Sequence, residues 1–257
     1  MARRRSSTVA ALAVAGLLLL FLGACGDDDT TEAGDGSTTT VESASTSTDA
    51  TTSTTATDDP DPATLPGTVI DLFPYDGASM AVVGVAADDV LNVRAGPGVD
   101  FDVVATLDPT SDGEAIATGT NRQLAGGAIW AEVRIDDVTG WANTAFLLQA
   151  GTVDDATAEL YPTPGDRPSA ETLVDLAGVV ADAVASEDPP SEITIVDGPS
   201  VGDLGEIAVD VIGLGDDSVG GYRLRIFAEE GPDTFTVRTV ERTTFCSRGA
   251  GSDGLCA

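Results

Sequence analysis

Leu91-Asn92-Val93-Arg94-Ala95-Gly96-Pro97-Gly98 alternates apolar with polar side chains for four residues and then breaks into a Gly-Pro-Gly turn. Period-two alternation fits a strand with one buried face, and the triplet forces the chain to reverse. Working outward, Val103 to Leu107 reads as a second strand. Trp130 to Ile135 sets Trp130, Glu132 and Arg134 against Ala131, Val133 and Ile135, and Asp136 to Gly140 turns the chain into Trp141. Short apolar runs punctuated by Gly, Pro and Asp between about Ser79 and Gln149 predict an all-β unit. So few residues do not make a two-sheet sandwich comfortably, and a small closed barrel, which removes exposed edges, is the economical solution.

The LNVR-GPG block, followed by Phe101, Val103, Val104 and Leu107, then Trp130-Ala131-Glu132-Val133, Gly140-Trp141-Ala142 and Phe146-Leu147, resembles the bacterial SH3-like (SH3b) domain family. The longer stretch from Asp108 to Ile129 departs from the family's compact hairpin, and Ala142 stands where the family usually carries Val. The resemblance implies binding of cell-wall peptide or another envelope ligand in a groove beside the loops. Asn92, Asp100, Phe101, Trp130 and Asn143 are the candidate ligand-binding residues. Trp141 is expected in the core, with Gly96 and Gly98 permitting the turn's backbone angles.

Beyond a Pro- and Gly-bearing connector, Ser169 is the expected N-cap of a helix with Glu171 in its first turn. Leu173, Leu176, Ala177, Val180, Ala183 and Val184 form one apolar stripe that Pro189-Pro190 ends. The stripe predicts a sheet beneath it, and four alternating runs follow: 193–196, 206–212, 222–227 and 235–240. If Tyr222, Leu224 and Ile226 face the helix, their expected partners are Thr239, Val237 and Phe235, with Glu229-Glu230-Gly231-Pro232 as the loop. The opposite face would bring Arg223 and Arg225 beside Arg238, which is unfavourable unless an anion lies between them. Glu206 and Asp210 have the parity to neutralise that face instead. Cys246 and Cys256 form an even pair that predicts a disulfide closing a Gly-rich loop.

At the N-terminus, Arg3 to Arg5 precede an apolar run from Val9 to Leu22, the layout of a secretory signal and too short to span a membrane. Leu22-Gly23-Ala24-Cys25 resembles the lipobox of bacterial lipoproteins, which implies cleavage before Cys25 and acylation of its thiol. Two or more acyl chains anchor stably. Gly26 to Pro66 holds ten acidic residues, no basic ones and no aromatic, a composition that cannot offset the entropy of ordering. As a coil of about 40 residues it would span roughly 35 Å. The expected organisation is therefore a signal peptide (1–24), the lipidated cysteine and linker (25–66), the SH3-like barrel (67–149), a connector (150–168) and an α+β domain of one helix on an antiparallel sheet (169–257).

The 257 residues include 43 acidic and 12 basic ones, for a formal charge of −31. Such a field disfavours nucleic acid and anionic surfaces as partners. The absence of His removes His-dependent triads and most zinc hydrolase designs. Gly198-Pro199-Ser200-Val201-Gly202 matches the G-x-S-x-G pattern but lacks a following helix and a base, so a turn between strands is expected. No catalytic residue, metal or cofactor is predicted. The sequence thus points to a non-catalytic binding or tethering module on the extracytoplasmic face of the cell membrane, with peptidoglycan or an envelope protein as partner. A carboxylate-dependent glycan hydrolase, or its accessory, and a structural scaffold are the competing expectations.

Overall fold

The computed structural model describes residues 64–257. The leader, Cys25 and the linker up to residue 63 lie outside the described residues. Within them the protein is mostly antiparallel β-sheet with few helical residues. The strands are β1 (Thr68–Ile70), β2 (Ser79–Val82), β3 (Leu91–Arg94), β4 (Val103–Leu107), β5 (Asp112–Gln123), β6 (Ile129–Ile135), β7 (Val138–Asn143), β8 (Leu147–Asp155), β9 (Ser169–Ala170), β10 (Glu192–Val201), β11 (Gly205–Ile212), β12 (Val219–Glu230) and β13 (Phe235–Cys246). Two helices, α1 (Thr157–Leu160) and α2 (Leu173–Asp182), complete the set. Among the described residues no helix is long and apolar enough to cross a membrane.

Hydrogen-bonded neighbours run β10-β11-β12-β13-β8-β2-β5-β6-β7-β3-β4, with β1 on β5 and β9 on β13. The path ends at β4 and β10, so the sheet does not close as the sequence led us to expect. The edge of β2 away from β5 is taken by Leu147 and Leu148 of β8, and β8 continues past that point to pair Gln149 through Asp155 with β13. Residues 150–155, expected as connector, are thus the second half of a strand shared by both parts of the sheet.

The turn-rich half folds around Met80, Val82, Leu91, Val93, Val133 and Leu147. Trp130 and Trp141 are buried at 4% and 3% exposure, as expected for Trp141. Val133 and Ile135 pair with Gly140 and Val138 across a turn at Asp136-Asp137, where Asp136 takes a φ of 50°, a left-handed angle that Asp tolerates. Gly96 has a different role from the one expected: a Cβ there would lie 2.4 Å from Cε1 of Phe101, so the glycine makes room for the ring.

In the other half, Leu173, Leu176, Ala177, Val180 and Ala181 of α2 pack on Ile207, Val209, Val211, Leu224, Ile226 and Val240 of the sheet. Fully burying a side chain such as Leu176 is worth about 1.5–3 kcal/mol. The helix begins later than expected. Thr172 is its N-cap, its hydroxyl accepting from the Asp175 N–H at 3.1 Å and donating to the Asp175 carboxylate at 2.7 Å. Ser169, the expected cap, instead sits in β9 opposite Thr236. The helix also ends sooner, at Asp182, leaving Ala183 exposed while Val184, the last residue of the expected stripe, still packs on the core.

The β12–β13 register differs as well. Tyr222 pairs with Thr244, Leu224 with Arg242 and Ile226 with Val240, and the loop is residues 231–234. The loop lies two residues later than expected, which moves each partner by four, and a register shift between Phe227 and Ala228 adds a fifth.

Candidate functional site

A cleft of about 490 Å³ opens where the turn-rich half meets β10, within the size range of small-ligand sites. Alternation on β3 buries Leu91 and Val93 and leaves Asn92 and Arg94 half-exposed along this cleft. On the next pair of strands, Trp130 of β6 stands opposite Asn143 of β7. The Asn143 carboxamide oxygen accepts from the Ala145 N–H at 3.0 Å and so caps the short 3-10 turn that presents Phe146, 38% exposed, at the rim. Val99, from the Gly-Pro-Gly turn, contributes a second exposed apolar group.

The other wall comes from far away in sequence. Glu192 and Thr194 of β10 face the cleft, and the loop joining β2 to β3 supplies Val85, Asp89 and Val90. That loop is held at two points: the Gly84 N–H donates to the Asp210 carboxylate at 2.9 Å, and the Ala87 N–H donates to the Ile195 carbonyl at 3.0 Å.

Three of the five sequence-derived ligand residues, Asn92, Trp130 and Asn143, therefore share one cleft. Asp100 and Phe101 do not line it. Phe101 lies against Gly96, and its carbonyl accepts from the Arg94 guanidinium at 2.8 Å, so the residue shapes the turn and its ring does not line the cleft. Glu192 and Thr194 carry no sequence signal for this role, since only the path of β10 brings them here.

The arginine face comes apart. Arg223 pairs in register with Thr243 and Arg225 with Glu241, whereas Arg238 is exposed and sits 4.0 Å from the Glu229 carboxylate. Arg223 is buried and engaged through Nε and one terminal nitrogen. Its Nε and one terminal nitrogen meet the two carboxylate oxygens of Asp210 at 2.7 and 2.9 Å, and that nitrogen also donates to the carbonyls of Val82 and Pro109, each at 2.8 Å. Its guanidinium carbon stands 5.3 Å from the Phe245 ring centroid. This is a staple between the two halves, and the parity that placed Asp210 against the arginines is observed directly. Burial pushes the Asp210 carboxyl above the usual carboxylate range, while the hydrogen bonds from Arg223 and Gly84 pull it back.

A second ion-pair centre lies at Arg242, bonded to Asp154 and Glu159 at 2.9 Å each and stacked 5.2 Å from the Tyr222 ring centroid. Hydrogen bonding to Arg242, and then its charge, hold the Glu159 carboxyl below its usual value. Cys246 and Cys256 form the expected disulfide. Ser200 of the G-x-S-x-G stretch pairs with Glu206, and Val201 with Gly205, in the β10–β11 hairpin, a strand-turn-strand setting. Comparison of the chain with family models, with curated proteins and with solved structures finds no match.

Proposed function

We propose that this protein is a lipid-anchored, extracytoplasmic binding module whose turn-rich half is an SH3-like barrel, followed by an α+β unit of helix and sheet, and whose cleft recognises cell-wall peptide. The observation that carries the reading is the convergence of Asn92, Trp130 and Asn143 on one cleft of about 490 Å³. Half-exposed amide side chains beside an apolar wall suit an extended, polar peptide: the amides satisfy its backbone groups while Val99 and Phe146 cover its aliphatic parts. Lipid on Cys25 would hold the chain at the membrane, and the acidic linker would give it reach.

Co-sedimentation of the mature chain with purified peptidoglycan tests the reading. Binding by the wild-type chain and its weakening in Asn92→Ala support it, because the Asn92 side chain has no hydrogen-bond partner among the described residues and its loss leaves the fold intact. Retention of the whole wild-type chain in the supernatant overturns it. Release of labelled wall fragments by the pure protein would replace it with a carboxylate-dependent hydrolase.

A further inference from the structure

The cleft carries charges of both signs that no group of the protein neutralises. Asp89 accepts only the Val90 N–H, at 2.8 Å, and Glu192 is exposed without a side-chain partner among the described residues. Arg94 uses one nitrogen on the neutral carbonyl of Phe101. Arg223, Arg238, Arg242 and Arg248 each have a carboxylate within 4.0 Å, whereas Arg134, Arg167 and Arg225 share with Arg94 the lack of one among the described residues but do not line this cleft. In a chain with 43 acids and 12 bases, an arginine facing a cleft that also holds two carboxylates, yet paired with neither, is a site left open for a ligand with its own two charges.

We infer that the cleft takes an amino-acid end in zwitterionic form, a free ammonium and a free carboxylate on one carbon, carried on a short aliphatic stem. This rests on the wall-peptide reading and narrows it. The ammonium lies toward Asp89 and Glu192, and the carboxylate toward Arg94, with the free amide of Asn92 as a second donor. Arginine suits a carboxylate because its planar fork can donate two parallel hydrogen bonds. The stem's methylenes run along Val90, Val99 and Phe146, which line the same cleft. A purely cationic ligand would leave Arg94 repelled, and a purely anionic one would meet two carboxylates within a protein of formal charge −31. The pattern therefore discriminates by penalty as much as by attraction. Because Glu192 comes from β10 and Arg94 from β3, neither half of the protein forms this site alone.

The probe is a wall stem tripeptide ending in diaminopimelate, whose side chain terminates in such a pair, titrated calorimetrically into the mature chain. Two further forms are titrated in parallel, one with the side-chain amine acetylated and one with the side-chain carboxyl amidated. Each modification should weaken binding by at least about tenfold, the scale of one lost charge-assisted hydrogen bond. Glu192→Gln, a change at an exposed and unpartnered side chain, should weaken the unmodified probe by about the same factor and leave the acetylated probe's Kd unchanged. Equal Kd for all three probes overturns the zwitterion assignment while the wall-peptide reading stands. Sensitivity to acetylation alone overturns the part given to Arg94. Co-sedimentation with peptidoglycan but no heat with any probe also overturns the assignment, and failure of both experiments removes the underlying reading as well.

Discussion

Replacing Arg223 with Met should unfold this protein far more readily than any loss of surface charge would. Asp210 is 0% exposed, and Arg223 supplies two of the three hydrogen bonds its carboxylate receives, the third coming from Gly84. Methionine keeps an unbranched side chain but loses the guanidinium over Phe245 and leaves that carboxylate without its counter-charge. Breaking a buried pair in this way costs about 3–5 kcal/mol. The carbonyls of Val82 and Pro109 lose their shared donor and add to the cost. For a folded part of this size, at about 2–4 °C per kcal/mol, Tm should fall by roughly 6–20 °C. The assay is urea and thermal unfolding followed by tryptophan fluorescence, which reports the buried Trp130 and Trp141. Acidification supplies an internal check. Without Arg223 the folded-state pKa of Asp210 rises further above its unfolded value, so the carboxyl's contribution is most favourable below the unfolded pKa, about 3.9, and is lost as pH rises through the folded one. The gap between variant and wild type should therefore narrow between pH 7 and pH 4. An unchanged Tm, or a gap that widens on acidification, would refute the staple and return Arg223 to the role of a free anion-binding group.

Cys256→Ser should cost about 2.7 kcal/mol in the chain-entropy picture, seen as a lower urea midpoint. It should also accelerate amide exchange over residues 247–257, because few contacts besides the Ala250 N–H bond to Gln149 at 3.1 Å and the exposed Arg248–Asp217 pair then tie the loop to the rest of the fold. Gly96→Ala forces the Phe101 ring from its place and should destabilise by about 1–3 kcal/mol, measured by thermal unfolding; a neutral result would mean the ring moves without consequence. Glu159, held below its usual value by Arg242, contributes stability above the unfolded pKa of about 4.3 that is lost as pH falls through the folded value. Arg242→Met should remove that acid-side slope by under about 1 kcal/mol, since Glu159 is largely exposed, and urea midpoints between pH 2.5 and 6 would read it.

The sequence announces an element where burial is carried by large apolar side chains, and stays quiet where it is not. Trp130 to Ile135 and Leu91 to Val93 alternate strongly, and both are strands. Asp112–Gln123 is the longest strand of its half, yet its buried positions are Ala115, Ala117, Asn121 and Arg122, small or polar residues that leave no hydrophobic period to detect. What stabilises those polar positions is long-range. Asn121 donates to the carbonyls of Leu72 and Pro74, and Arg122 to those of Leu65, Pro66 and Gly67, contacts that depend on where the incoming chain lies. The helix stripe was readable, but Ser169 and Thr172 are equivalent caps by residue type alone. Asp175 decides for Thr172 by returning its hydrogen bond. Parity correctly set Asp210 against Arg223, while a hairpin turn two residues later than expected, together with one residue of register shift beyond Ile226, put Thr243 rather than Arg238 opposite Arg223.

The cleft and the buried ion pair depend on each other through one loop. Asp210 is held by Arg223, and Asp210 in turn accepts the Gly84 N–H; three residues on, Ala87 is hydrogen-bonded to Ile195 of β10. Asp89 and Val90, which follow directly, share one wall of the cleft with Glu192 and Thr194, on the same β10 that holds Ala87. The position of that wall is therefore fixed by contacts between the halves, while Asn92, Trp130 and Asn143 all lie on the turn-rich side. On the binding reading proposed above, recognition would then depend on residues such as Arg223 that the ligand does not touch. It also explains why a sequence reading confined to the turn-rich half could find the amides and the tryptophan but not Glu192, which only the path of β10 brings to the cleft.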